Sequence, residues 1–177
     1  MAEQCEMTSE VLQVKEAGPL ELEVFGSKTL CIEREGNTNL APYTATLRIR
    51  NTSPTPVIVN YTLDPLRSFR SKVVFPADRP DDSIEFSDCC GDQGQPGAVE
   101  ETIPPRGTLL ISSWTRHHDF IWGKEVPDEA ALADLIPRDY IVRFELAMTY
   151  DRGTGPTPVA EMFDIRLRAV PVVLENN

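Results

Sequence analysis

Apolar and polar side chains alternate along much of this chain with a period of two residues. In residues 20–24 and 43–50 every second residue is apolar, and the residues between them are charged or carry a hydroxyl group. A period of two places one set of side chains on a single face of a β-strand. Both segments are therefore predicted to be strands with one face in a core and the other in water.

Five further segments have strand character. Residues 57–63 are rich in β-branched and aromatic side chains, which suit a pleated sheet, and the turn-forming residues 51–56 before them predict a hairpin with the preceding strand. In residues 139–150 the side chains of Val142, Phe144, Leu146 and Met148 share one face. The remaining predicted strands are residues 69–75, 107–114 and 161–170.

Proline and glycine fall mostly between these segments, where they do not interrupt a ladder of hydrogen bonds. The 15 prolines also argue against a helical bundle, because a proline in a helix interior costs about 3 kcal/mol. The sequence supports one short helix, in which Asp128 caps residues 129–135 and Pro137 ends the element.

About seven to nine short strands without βαβ alternation predict an all-β protein, an immunoglobulin-like Greek-key β-sandwich with one short helix. A length of 177 residues suits a single domain over residues 1–177. Residues 1–10 contain no apolar run and are a candidate for a disordered N-terminus. Residues 77–100, which are rich in aspartate and glutamate, are predicted to be a long acidic surface loop.

The formal net charge of −11 argues against nucleic acid as a ligand, because nucleic-acid binding depends on clustered Lys and Arg. No window approaches the run of about 18 apolar residues that a membrane-spanning helix needs, so no membrane partner is expected. The first ten residues lack the layout of a secretory signal. A cytoplasmic location is therefore expected if Met1 is the native start.

The cysteine pattern predicts reduced thiols. Four cysteines in a chain of this length are too few and too irregularly spaced for a disulfide framework. They are Cys5, Cys31, Cys89 and Cys90.

The segment from Trp114 to Trp122 contains both histidines and both tryptophans of the protein. Arg and Trp are frequent at binding hot spots, and histidine titrates near neutrality. The alternative interpretation places Trp114 and Trp122 in the core at two strand ends, with the polar residues between them in an exposed connection. The predicted binding surface comprises Arg116, His117, His118, Asp119 and Trp122, joined by Asp81 and Asp82 of the acidic loop.

A metal site is a weaker alternative. Two thiolates and two imidazoles would make a tetrahedral zinc set, formed by Cys89, Cys90, His117 and His118. However, adjacent residues on an extended chain point to opposite sides, so we predict no metal site and no cofactor. The chain also lacks a Gly-x-Ser-x-Gly elbow, a phosphate-binding glycine loop and a His-Glu-x-x-His helix. We therefore do not expect an enzyme, although a Cys–His nucleophile pair among the same residues stays open.

Three short segments carry a resemblance to a known family. They are Thr46-Leu47-Arg48-Ile49-Arg50-Asn51-Thr52-Ser53, Pro104-Pro105-Arg106-Gly107-Thr108 leading to Trp114, and Pro137-Arg138-Asp139-Tyr140-Ile141-Val142. Together they resemble the Ig-like intracellular proteinase inhibitor (BsuPI-type) domains found in bacilli. In that family a strand ends in Asn-x-Ser/Thr, a Pro-Gly turn precedes a strand with an aromatic residue, and a Gly-x-Tyr-x-Val turn opens a late strand. Here Arg138-Asp139 replaces the expected glycine, and the resemblance implies fold more than inhibitory activity.

Three functional hypotheses follow. The first is a non-enzymatic, inhibitor-like binding module that recognises a protein partner with loops at one end of the sandwich. The second is a small metal-dependent or Cys/His enzyme on the same fold. The third is a structural subunit that forms a homo-oligomer through an edge strand, because exposed sheet edges readily pair.

Overall fold

The computed structural model describes residues 8–33, 43–63, 68–81, 83–85, 97–115 and 138–172. These residues form eleven β-strands. In chain order they are β1 (Glu10–Ala17), β2 (Leu20–Gly26), β3 (Thr29–Glu33), β4 (Tyr43–Asn51), β5 (Val57–Thr62), β6 (Phe69–Pro76), β7 (Ile84–Glu85), β8 (Ala98–Ile103), β9 (Thr108–Thr115), β10 (Arg138–Asp151) and β11 (Pro156–Val172).

The strands form two sheets. The small sheet has four strands in the order β1-β2-β4-β9, and all its pairs are antiparallel. The large sheet has seven strands. Its main path is β3-β11-β10-β5-β8, while β6 pairs with β10 and β7 pairs with β6. Within the described residues the one parallel pair joins β3 to β11.

Strand β10 organises the large sheet. It pairs with β11 along its whole length, from Arg138 to Asp151. Its other edge is shared, because β6 pairs with its first half and β5 with residues Thr149, Tyr150 and Asp151. One long strand therefore joins the two halves of the sheet.

The core lies between the two sheets and is built from the inward positions of the alternating segments. Leu20, Leu22 and Val24 of β2 are at most 1% exposed. In the large sheet the Phe69 and Phe144 rings stack at 5.3 Å between centroids, and Phe163 meets Phe69 edge-on at 6.3 Å. Burying one such side chain contributes about 1.5–3 kcal/mol, so this apolar layer is the main stabilising element.

The predicted all-β sandwich is confirmed. The seven predicted strands correspond to β2, β4, β5, β6, β9, β10 and β11. Strands β1, β3, β7 and β8 were not predicted, and the predicted number of seven to nine strands was too low. Strands β7 and β8 contain residues 84–85 and 98–100 of the segment predicted to be a 77–100 loop, and residues 82 and 86–96 of that segment lie outside the described residues.

The physical reason is local for three of these four strands. A register shift between Val11 and Gln13 breaks the two-residue period of β1. Strand β7 has only two residues, and β8 has charged side chains on both of its faces. The predicted helix over residues 129–135 lies outside the described residues.

The predicted hairpin of β4 and β5 is wrong. Strand β4 belongs to the small sheet and β5 to the large one, so the connection between them crosses from one sheet to the other. The same holds for the connection from β8 to β9. The two crossing connections are adjacent and hydrogen-bonded to each other: the backbone N–H of Asn51 donates to the carbonyl of Gly107 at 3.0 Å.

The side chain of Asn51 fixes this double crossing, which we call the Asn51 junction (residues 51–55 and 103–107). Asn51 is 0% exposed. Its Nδ2 lies 2.7 Å from the carbonyl oxygen of Thr55, 3.1 Å from that of Ile103 and 3.2 Å from that of Pro104. Its Oδ1 accepts hydrogen bonds from the backbone N–H and hydroxyl of Ser53 at 2.9 and 2.7 Å. A buried polar group with all its hydrogen bonds made stabilises one conformation of the chain.

The turn at Pro104–Gly107 completes the junction. The N–H of Gly107 donates to the carbonyl of Pro104 at 2.8 Å, and Arg106 at the third position has a φ of 64°. Proline at the second position and positive φ at the third define a type II turn, which favours glycine where Arg106 stands. A Cβ at Gly107 would lie 2.7 Å from Cγ of Pro104, so the turn has no room for a side chain there.

Cys31 in β3 is disulfide-bonded, which corrects the expectation of reduced thiols. The other three cysteines lie outside the described residues. Spacing along the chain could not predict this bond, because disulfide formation depends on proximity in the fold. No helix within the described ranges is long and apolar enough to cross a membrane.

Candidate binding surface

Most of the predicted site lies outside the described residues. This holds for Arg116, His117, His118, Asp119, Trp122 and Asp82, and for Cys89 and Cys90 of the alternative zinc set. Asp81 is described and is exposed in the turn between β6 and β7. The backbone of Trp114 lies in β9 opposite Thr44. In the part of the chain that the structure describes, no three His, Cys, Asp or Glu side chains are grouped to hold a metal ion.

The outer face of the small sheet carries an exposed apolar group that the sequence analysis did not identify. Of the described residues, five large apolar side chains are exposed, and three of them lie on this face: Val11 (44%), Val14 (49%) and Leu110 (62%). Phe25 and Arg48 lie between them. We call these five residues the outer patch.

Strand register explains why the members of the outer patch are neighbours. Val11 in β1 lies opposite Phe25 in β2, and Arg48 in β4 lies opposite Leu110 in β9. Because of the register shift after Val11, Val14 falls on the same side of β1 as Val11. Side chains directly opposite on one face of an antiparallel pair are about 5 Å apart at Cβ. The outer patch therefore extends across all four strands.

Arg48 is the centre of the patch. Its guanidinium carbon lies 4.7 Å from the centroid of the Phe25 ring, a cation–π arrangement. It also donates a hydrogen bond to Glu23, and this bond raises the pKa of Arg48 above its usual value. The guanidinium is thus held in place between an aromatic ring and a carboxylate, and its methylene stem adds apolar surface.

Polar pairs border the patch. On one side Arg50 lies 3.5 Å from a carboxylate oxygen of Glu21. On the other side the hydroxyl groups of Thr46 and Ser112 are 3.2 Å apart. A central Arg and aromatic pair with apolar neighbours and a polar border has the composition of a protein-binding surface.

The outer face of the large sheet differs, because charged pairs occupy much of it and its apolar residues Val73, Phe75 and Ile141 are half-buried. Arg143 forms two hydrogen bonds with Asp164, at 2.7 and 2.8 Å. Asp139 accepts hydrogen bonds from Arg168 and Arg166, and these bonds lower its pKa. Glu145 lies 3.5 Å from Arg70 and 3.6 Å from Lys72. On this face Met162, at 57% exposure, is the one exposed large apolar side chain among the described residues.

One sequence signal could have indicated the outer patch. Residues Leu109, Leu110 and Ile111 are consecutive apolar residues in a segment predicted to be a strand, so one of the three must face outward. No comparable signal exists for Val11 and Val14, because the register shift that aligns them is visible only in the structure.

A scan of the sequence against protein-family models finds no match, and a search of curated proteins finds none either. Among solved structures, the chain is similar to that titled "X-ray structure of Northeast Structural Genomics Consortium target SoR45". The two share 14% sequence identity at a TM-score of 0.34, over 97% of this chain and 89% of the other. A likeness this distant carries no argument about function.

Proposed function

We propose that this protein is a non-enzymatic protein-binding module that docks a partner on the outer patch. The observation that carries the proposal is the exposure of Val11, Val14 and Leu110 around the fixed Arg48–Phe25 pair. A sheet face in water normally presents polar side chains, and on the outer face of the large sheet Met162 is the one large apolar side chain that is exposed among the described residues. In the row that crosses the sheet, the Glu23–Arg48 ion pair lies between Val14 and Leu110. Exposed apolar residues on one face together with such a fixed charged pair mark interaction sites.

The partner that fits is a different protein with a basic surface. The net charge of −11 makes two copies of this chain repel each other and attracts a positively charged molecule. The patch is the face of a pleated sheet rather than a concave pocket, and small-molecule sites are concave. A complementary protein surface therefore suits it better than a small ligand.

Three further predictions from the sequence bear on this proposal. An inhibitor-like role stays a prediction, and the resemblance to Ig-like proteinase inhibitor domains implies fold more than that activity. The binding surface predicted from the sequence stays a predicted second contact region, with Arg116, His117, His118, Asp119, Trp122, Asp81 and Asp82. The disulfide at Cys31 weighs against the expected cytoplasmic location, since disulfides persist mainly in oxidising compartments.

The test uses one charged substitution at two matched positions. Leu110→Lys places a charge in the outer patch, and Met162→Lys makes the same change at a residue of similar exposure on the other sheet. Each variant serves as bait in cell extract, captured proteins are identified by mass spectrometry, and each candidate is purified for binding by calorimetry. Leu110→Lys should weaken binding of the purified partner by about tenfold or more, because truncating or charging a hot-spot residue costs at least that much binding free energy.

Met162→Lys should bind like the parent protein. Circular dichroism and urea unfolding of both variants check that the fold is retained. If the parent protein, Leu110→Lys and Met162→Lys all bind the partner equally well, the outer patch is not the docking site.

A further inference from the structure

Strand β8 forms an edge of the large sheet. It pairs with β5 on one side, and no strand within the described ranges pairs with it on the other. Ala98, Glu100, Glu101 and Thr102 are all exposed. An edge strand of this kind presents backbone N–H and C=O groups that another extended chain can pair with.

The register of β5 and β8 shows which backbone groups these are. The N–H of Leu63 donates to the carbonyl of Gly97 at 3.2 Å, one step beyond the last paired residues of the two strands. In an antiparallel pair the residues that exchange hydrogen bonds alternate, so every second residue of β8 from Gly97 onward faces β5. The backbone groups of Ala98, Glu100 and Thr102 therefore face away from β5, as three donors and three acceptors.

Two carboxylates accompany this edge. Glu100 lies opposite Asn60 on the outer side of the sheet. Glu101 lies on the inner side at the rim, where it accepts a hydrogen bond from the hydroxyl of Tyr61 at 3.1 Å. Next to them Val99 is half-buried and packs against the core. The edge thus offers two adjacent negative charges and one apolar contact.

A second copy of the chain does not fit this edge. Two antiparallel β8 strands that use all six free backbone groups would place Glu100 directly opposite its counterpart in the other copy. Like charges in that position are destabilising. The whole-chain charge of −11 adds to the repulsion.

We propose that the free edge of β8 accepts an extended basic segment of a partner protein as an additional antiparallel strand. The register sets the order of that segment: a basic residue opposite Glu101, then a basic residue opposite Glu100, then an apolar residue opposite Val99. Main-chain hydrogen bonds provide affinity in this mode of binding, and alternate side chains provide specificity. The outer patch takes no part in it, so this proposal and the proposed function stand or fall separately.

The probe is the blocked peptide acetyl-Thr-Thr-Lys-Lys-Val-Thr-amide, titrated into the full chain and followed by the backbone amide signals in NMR spectra. The amides of Ala98, Glu100 and Thr102 should shift, and the same peptide with both lysines replaced by glutamate should leave them unchanged. N-methylation of the second lysine, whose N–H would face β8, should abolish binding. N-methylation of the valine, whose N–H would face away, should leave binding within about twofold.

Variants of the protein give an independent readout. Glu100→Lys should weaken binding of the lysine peptide by about tenfold, since an attractive cross-strand pair becomes a repulsive one. Glu16→Lys makes the same change in net charge at an exposed residue of β1 and is the matched control. Thr102→Pro removes a free-edge donor while leaving the bonds to β5 intact, so it should reduce binding without unfolding the sheet.

Three results would overturn the proposal. Equal shifts with the lysine and glutamate peptides would show that the carboxylates select nothing. Equal binding of the two N-methylated peptides would show that the lysine peptide is held by charge alone and not as a strand. A dimer in light scattering that Thr102→Pro abolishes would assign the edge to a second copy of this chain.

Discussion

The Asn51 junction and the outer patch both depart from the rule that apolar side chains face inward and polar ones outward. Asn51 is a polar residue that is completely buried, and Leu110 is a large apolar residue that is 62% exposed. They differ in what surrounds them. Every polar atom of the Asn51 side chain has a hydrogen-bond partner within the chain, whereas Leu110 has a face in contact with water.

This difference separates a structural exception from a functional one. A buried polar group whose partners all lie within the chain is explained by the fold, because it holds two sheet crossings together. An exposed apolar group has no such explanation within the chain and points to a partner. The two regions should therefore respond in opposite ways to substitution: the junction through stability, and the patch through binding.

The largest expected effect is that of Asn51→Leu. The substitution keeps a similar volume but removes the amide donor to the carbonyl of Ile103 and the acceptor of the Ser53 backbone N–H, both of which are buried. The carbonyls of Thr55 and Pro104 keep donors in the Ser53 hydroxyl and the Gly107 N–H. Each unsatisfied buried group costs about 1–3 kcal/mol, so the free energy of unfolding should fall by about 3 kcal/mol or more. Urea unfolding followed by circular dichroism measures it.

Asn60→Leu in β5 is the control for this change. Asn60 is half-buried, so the same substitution should alter the free energy of unfolding by less than about 1 kcal/mol. Similar losses for the two variants would mean that the junction has no special structural role.

A smaller loss is expected for Gly107→Ala. The new methyl group would lie 2.7 Å from Cγ and 3.0 Å from the carbonyl oxygen of Pro104, so the type II turn must open. Overpacking of this kind costs about 1–3 kcal/mol. Gly97→Ala is the matched change, because a Cβ there meets nothing within 4 Å. Thermal unfolding of the pair tests the prediction, and equal melting temperatures would contradict it.

Arg106→Gly should increase stability. Arg106 has a φ of 64°, a conformation that costs a residue with a Cβ about 1–2 kcal/mol and glycine nothing. Part of this gain is lost to the greater freedom of glycine in the unfolded chain, which leaves a net gain of about 0.5–1 kcal/mol.

The control for this gain is Arg152→Gly in the turn between β10 and β11, where φ is not positive. Only the entropic cost applies there, so stability should fall. A loss of stability in both variants, measured by urea unfolding, would show that the turn does not strain Arg106.

The sequence predicted the strands that line the core better than the Asn51 junction and the outer patch. The period of two residues identified β2, β4 and β10, because burial on one face of a strand imposes that period on the sequence. It failed for β1, where a register shift changes the phase, and for the crossing at Asn51, where residues more than 50 positions apart exchange hydrogen bonds. Features that depend on contacts between such distant residues leave no local pattern in the sequence.

The candidate site was harder to predict for the same reason. Residue types alone indicated Arg116 to Trp122, whereas the outer patch consists of ordinary strand residues that become neighbours only when four strands align. Leu110 was the one member with a local signal, as the middle residue of three consecutive apolar ones. A surface built across strands is a property of register, which a single sequence does not show.

The smallest expected change in stability is that of the double variant Val14→Thr and Leu110→Thr. Threonine suits a strand, and both side chains already contact water, so the free energy of unfolding should change by less than about 0.5 kcal/mol. Leu47→Thr, at a position of β4 that is 0% exposed, should by contrast lose about 2 kcal/mol or more. Urea unfolding compares the three proteins. A loss of about 2 kcal/mol in the double variant would show that the chain itself covers these side chains, and the outer patch would then belong with Asn51 as a structural feature rather than a binding surface.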